Sequence, residues 1–185
     1  MKREQAINLI KKHVKNRNSI KHMLAVEAVM RALAKRFDED EELWGLAGLL
    51  HDIDMEIVDY RNNPEEHGKK GAEILEKEGV SKKVIDAALA HNKATGKKRE
   101  TDLEKAIHAA DPLTGLIVAS ALIIPSKKIN DLTTDSVIKR FKEKSFARGA
   151  DRETIKCCSE IGLELDKFIE IGLLSMQEIS KELEL

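Results

Sequence analysis

The pair His51-Asp52 closes the apolar run Leu43-Trp44-Gly45-Leu46-Ala47-Gly48-Leu49-Leu50. A run of this kind belongs in an interior, so it carries an imidazole and a carboxylate in with it. Burying a charge is strongly unfavourable unless it is paired or bound to a metal. Any fold adopted by the chain must therefore bring partners or a cation to this point. A ring nitrogen beside a carboxylate oxygen is also the beginning of a divalent-metal site.

The rest of the chain narrows the folds and functions on offer. Its 185 residues suffice for one domain with a substantial core. With 35% charged and 42% hydrophobic residues it reads as a soluble globular protein. Aromatics are only 3%, so the core must be aliphatic and no platform for stacked bases is expected. A net charge of -1 leaves no global basic footprint for a nucleic-acid polymer. The longest apolar stretch, near Leu116 to Pro125, is too short to span a bilayer. The start Met1-Lys2-Arg3-Glu4 has no signal-peptide apolar region. A cytoplasmic protein without a membrane partner is expected. Cys157 and Cys158 are neighbours, unsuited to a disulfide framework or a zinc knuckle, and read as reduced thiols on a helix.

Helical spacing dominates and no stretch alternates like a strand. A first amphipathic helix covers about Lys2 to Lys15, and Ser19 is expected to cap a second, which runs to about Phe37. A third begins near Asp40 and ends at His51-Asp52. Residues 53–63 read as irregular, with Pro64 opening a fourth helix and Gly79 closing it. Ser81 caps a fifth, which stops near Asn92, and a polar loop containing Gly96 follows. A sixth starts near Thr101 and is expected to kink or break at Pro112. Further helices follow from about Thr134 and Asp151, with Ser175 capping a short last one. The expectation is a single all-α domain over residues 1–185.

Helix faces then sort the metal-capable residues. His22 leads Val26, Val29 and Leu33 at steps of four, three and four, which places it on an apolar stripe. His67 precedes Gly71, Ile74 and Leu75, and His91 follows Val84 and Ala88. Asp111 follows Leu103 and Ile107. Four helices thus each aim one such side chain inward, and His51 and Asp52 add two more. Any one histidine alone is better explained as a hydrogen-bonded core residue, and Asp111 alone as the partner of a lysine or arginine. Together they are a heavy desolvation load without a cation. His13, in Lys11-Lys12-His13, reads as surface; His108 reads as structural, with a supporting bond to a ligand as the alternative. Asp54 is either a support of this kind or a turn residue.

The ordered set His22, His51-Asp52, His67, His91 and Asp111, in the contexts AGLLHDID, EEHGKKGAEIL, ALAHN and HAADPLTG, resembles the HD superfamily of metal-dependent phosphohydrolases. The resemblance covers roughly residues 19–122; residues 126–185 resemble the helical extension of an uncharacterised bacterial and archaeal branch. It implies a helical bundle in which His22, His51, Asp52 and Asp111 hold a first metal. His67 and His91 match the extra pair of the binuclear branches, where the dipeptide aspartate, here Asp52, bridges both ions. Signalling phosphodiesterases of the superfamily often continue the dipeptide with glycine and a phosphate-contacting lysine. This chain reads His51-Asp52-Ile53-Asp54-Met55, which argues against cyclic-dinucleotide hydrolysis.

The implied activity is cleavage of a phosphoester or phosphoanhydride of a small nucleotide or phosphorylated metabolite by a metal-bound hydroxide, with His51 and Asp52 at its centre. One or two divalent ions of iron, manganese, cobalt, nickel or zinc suit the donors. Two ions about 3.5–4 Å apart can hold a bridging nucleophile and stabilise charge in an in-line attack. Lys69, Lys70 and Lys93 are candidates to steady the phosphate, as is the face formed by Arg140, Lys144 and Arg148 at i, i+4 and i+8. The alternatives are a di-iron oxygenase, which shares the six-ligand pattern, and a non-catalytic metal or nucleotide sensor. The pattern fixes neither the metal nor the oligomeric state.

Overall fold

In the computed structural model, which describes residues 1–185, all regular structure is helical. The order is α1 (Arg3–His13), α2 (Arg17–Phe37), α3 (Glu41–Leu50), α4 (Lys69–Lys77), α5 (Lys82–His91), α6 (Asp102–Ile123), α7 (Thr134–Lys142), α8 (Arg152–Lys156), α9 (Leu165–Glu178) and α10 (Ser180–Leu183), with three short 3-10 turns. Two helices, α2 and α6, form the centre; α3, α5 and α9 pack around them, and one contiguous apolar core joins all of these.

Two glycines decide where the polar pair ends up. A Cβ on Gly48 would lie 2.8 Å from the Val26 carbonyl oxygen and 2.9 Å from the Glu27 backbone. Only a residue without a side chain lets α3 lie directly on α2 there, which brings His51 beside His22. Gly68 has φ +91°, a conformation that L side chains rarely adopt. It turns the chain into α4 immediately after His67.

Several local expectations are corrected. Asn16, not Ser19, caps α2: its Oδ1 accepts from the N–H groups of Asn18 (2.8 Å) and Ser19 (3.4 Å). Pro64 does not open α4. Residues 51–68 form successive turns, because the Asp54 carboxylate accepts from the N–H groups of Gly68 (2.8 Å) and Gly71 (2.7 Å) and so starts the helix at Lys69. His67 therefore stands on a turn and not on a helix face. Ser81 does occupy the position before α5, without a side-chain capping bond. Ser175 lies inside α9, its hydroxyl donating to the Gly172 carbonyl at 3.0 Å.

α6 does not break at Pro112 but runs as one helix of 22 residues. Proline removes one ladder bond, and the burial of Ala109, Ala110, Leu113, Leu116 and Ile117 around it outweighs that loss. α6 is long and apolar enough to cross a membrane by length and composition, a property hidden when only its uninterrupted apolar run is read; most of its apolar length is buried inside the protein. α7 ends at Lys142, so Arg140, Lys144 and Arg148 do not share a helix face. Glu143, the residue after α7, is extended, which puts Lys144 and Arg148 on a loop.

Candidate metal centre

The six candidate ligands meet at one place. Asp52 is the hub, contributed by the turn after α3 and almost fully buried. Its Oδ1 lies 3.3 Å from His51 Nε2, 3.1 Å from His67 Nε2 and 3.4 Å from His91 Nε2. Its Oδ2 lies 3.5 Å from His22 Nε2. Asp111, from α6, places Oδ1 3.1 Å from His22 Nε2 and 3.9 Å from His51 Nε2. All four imidazoles point the same ring nitrogen at the two carboxylates.

The opposite nitrogen of each ring is held from outside. His51 Nδ1 donates to the Gly48 carbonyl at 2.8 Å, and His91 Nδ1 donates to the Ala88 carbonyl, each within its own helical turn. His67 Nδ1 donates to Asp54 Oδ1 at 2.8 Å. His22 Nδ1 lies 3.1 Å from Thr114 Oγ1, whose own hydroxyl donates to the Asp111 carbonyl at 2.9 Å, so the ring must be the donor. With Nδ1 the donor in every ring, Nε2 is the nitrogen left to face a cation at the centre. One layer further out, His108 Nδ1 donates to the His91 carbonyl at 2.7 Å. Asp54 and His108 are thus supports of the ligands.

This arrangement asks for positive charge. His67 Nε2 and His91 Nε2 stand 3.0 Å apart, too close for two facing lone pairs. His51 Nε2 is buried without a hydrogen-bond partner. The ion-pair partners of Asp52, Asp54 and Asp111 are all histidines, with no lysine or arginine among them. Burial alone would lower the His67 pKa, yet hydrogen bonds to Asp52 and Asp54 raise it to about 10. A proton thus fills a position that suits a cation. Burial pushes His51 down to about 4 and keeps it neutral. For Asp52 burial acts upward, but the surrounding imidazoles, His51 foremost, hold it well below the usual carboxylate range. Asp111 is held down in the same way by His22.

Two overlapping triads have donor atoms within 4.8 Å of one another, His22-His51-Asp111 and His51-Asp52-His91. Mixed nitrogen and oxygen donors, an orphaned buried ring nitrogen and preset tautomers fit a divalent transition metal. Access is one-sided. His51 is fully enclosed, while the side chains of His22 and Asp111 keep 24% and 31% exposure and open onto a cavity of about 400 Å³. Its opposite wall is the loop segment Ala147, Gly149 and Ala150.

None of the six basic residues expected to steady a phosphate lines that cavity. Lys70 pairs with Glu73 (2.9 Å), Lys93 with Asp151 (3.5 Å) and Arg140 with Glu143 (2.7 Å). Lys69 lies at the start of α4, while Lys144 and Arg148 border a neighbouring cavity.

Two contributors went unread in the sequence. Thr114 sits one turn after Asp111, and that i, i+3 spacing was the available signal. Arg152 left no signal, because its partners are backbone carbonyls. Its guanidinium donates to the carbonyls of Phe141, Ala147, Ala150, Arg140, Glu143 and Phe146 at 2.6–3.5 Å, fixing the loop that walls the cavity.

Comparison with known proteins agrees with this geometry. The HD domain family model matches residues 19–116. An uncharacterized protein of Methanocaldococcus jannaschii is 35% identical over 155 residues, covering 78% of this chain and 86% of that one. Ribonuclease Y of Oleidesulfovibrio alaskensis is 32% identical over 100 residues, 54% of this chain but only 18% of the ribonuclease. Among solved structures, the HD domain of the Listeria monocytogenes phosphodiesterase PgpH superposes with a TM-score of 0.59 at 15% identity, covering 94% of this chain and 98% of that one. Its complex with cyclic-di-AMP gives 0.58 at 16%. At such identity the likeness is one of fold.

Proposed function

The chain belongs to the HD-domain family, and from that premise we propose that it is a metal-dependent phosphohydrolase cleaving a phosphoester or phosphoanhydride of a small nucleotide or phosphorylated metabolite. The observation that carries this reading is the convergence of four Nε2 atoms on the Asp52 and Asp111 carboxylates, with His51 Nε2 unsatisfied. His22, His51, Asp52 and Asp111 would hold a first ion. His67 and His91 would hold a second, with Asp52 shared. Bound divalent ions supply there a strongly acidified water and Lewis acidity toward phosphoryl oxygens.

The chain's own residues do the rest. Asp54 and Thr114 orient the rings of His67 and His22, and the backbones of α3 and α5 orient His51 and His91. Burial of Asp52 and His51 excludes bulk water from the inner side, which strengthens every charge interaction at the centre. The open side, at His22 and Asp111, admits the substrate. A phosphate is the ligand chemistry of the neighbours: PgpH is a phosphodiesterase whose HD domain was crystallised with cyclic-di-AMP, and ribonuclease Y is named as an RNA-cleaving enzyme. The small cavity and the absence of a general basic surface favour a small substrate over a polymer.

The test is elemental analysis of anaerobically purified protein, followed by a panel of mononucleotides, cyclic dinucleotides and short oligoribonucleotides with the metal found. Turnover that needs the metal and disappears in Asp52→Ala is expected. Protein that takes up no transition ion, or full turnover in Asp52→Ala, would overturn the reading. Oxygen consumption with a mixed-valent iron signal would replace it with oxygenase chemistry, and tight binding without turnover with a sensor.

A further inference from the structure

A second cavity, of about 730 Å³, adjoins the metal centre. Lys142, Lys144, Arg148 and Lys156 stand around it, and Ala150 borders both cavities. The shared wall is the segment 147–150: Ala147 and Gly149 face the metal centre, while Arg148 between them faces the second cavity. Arg152 at the floor has its guanidinium committed to backbone carbonyls, so it acts as scaffold and holds this wall in place.

The charge in this cavity is only partly compensated: Asp151 and Glu153 line it beside Lys142, Lys144, Arg148, Arg152 and Lys156. The acids of the region are already taken: Asp151 by Lys93, Glu143 by Arg140 and Glu153 by Lys156. Lys142, Lys144 and Arg148 are exposed and enter no ion pair. Three free cations around one concavity, in a chain of net charge -1, make a local positive field that a concave low-dielectric wall focuses.

We propose that this cavity is an anion subsite for a second phosphate group of a small substrate, the phosphate to be cleaved lying at the metal centre. The assignment rests on the hydrolase reading only for the second half of that statement. It names the substrate class as a nucleotide or dinucleotide carrying at least one phosphate beyond the one that reacts.

The first arm of the test needs no turnover. Inorganic tripolyphosphate is titrated calorimetrically into metal-free protein held in chelator, comparing wild type with a Lys144→Ala/Arg148→Ala double variant. Both positions are exposed, so folding is preserved, and circular dichroism checks it. Binding about tenfold weaker in the variant is expected, with a steep salt dependence in the wild type. Equal affinity in both proteins, or no binding to the wild type, overturns the subsite. The second arm compares a 5′-phosphorylated dinucleotide with its dephosphorylated counterpart. The double variant should raise KM about tenfold for the former only; an equal effect on both overturns the proposal. Affinity for oligoribonucleotides that keeps rising beyond about four residues would replace the small substrate with a polymer. If nothing is turned over, the hydrolase reading fails while the tripolyphosphate titration still decides the subsite.

Discussion

The two walls of the cavity at the candidate metal centre are built on opposite plans. On the inner wall, backbone and side-chain acceptors each orient one imidazole: Gly48 and Ala88 carbonyls, Asp54 and Thr114. On the outer wall, one side chain, Arg152, orients the carbonyls of six residues. The inner wall spreads its constraint over three helices and one turn, so removing one support loosens one ligand. The outer wall concentrates its constraint in a single guanidinium, so one substitution releases the whole segment. A centre that must hold a geometry gains from distributing its supports; a wall that must only be present does not require it.

The comparison breaks most decisively at Asp52, the one inner residue that every ring faces. Asp52→Ala should reduce bound metal to below one ion per chain and bring hydrolysis below detection, measured by elemental analysis and by phosphate release. Metal content equal to that of the wild type would show that the carboxylate is not shared. Asp54→Asn comes next. One amide oxygen must replace two carboxylate oxygens that serve His67, Gly68 and Gly71. On the proposed two-ion arrangement, metal affinity should fall about 10–100-fold for the ion held by His67, with the other unaffected, as read from metal titrations. Uniform weakening of both ions would mean that Asp54 supports the fold rather than one ligand.

On the outer wall, Arg152→Met should cost about 2 kcal/mol of stability by urea unfolding and open the segment 143–150 to proteolysis, while metal content stays intact. The guanidinium is partly exposed, so the cost is smaller than for a buried ion. Arg152→Lys should recover less than half of the loss, since an ammonium offers three donors in place of a planar five-donor fork. Loss of metal in Arg152→Met would show that the two walls are not independent.

The sequence made one plan legible and hid the other. The inner wall could be read because an inward histidine must sit on an apolar face, and the 3.6-residue period reveals faces at His22, His91 and Asp111. His67 escaped that logic in part: its turn is shaped by Asp54, thirteen residues earlier, a contact with no periodic trace. Pro112 misled because local propensity says nothing of the packing on both sides of α6. Arg140, Lys144 and Arg148 misled for the converse reason: their i, i+4 spacing is helical, but the chain leaves the helix at Lys142, and Arg152 holds a loop there instead. A side chain that binds backbone carbonyls selects no partner residue types, so no pattern of letters records it.

Thr114→Val is the finest probe of the inner plan. Valine keeps the shape of a fully buried threonine and removes only the hydroxyl. His22 Nδ1 then loses its acceptor and the Asp111 carbonyl loses its donor, both on the exposed side of the centre. His22 would be free to turn or to exchange tautomer, so about a tenfold fall in affinity for the ion it holds is expected, with a stability change of under about 1 kcal/mol. Thr114→Ser, which keeps the hydroxyl, should restore the affinity even where its smaller volume lowers the melting temperature. If Val and Ser behave alike, packing and not ring orientation is what Thr114 provides, and the inner wall has three orienting supports instead of four.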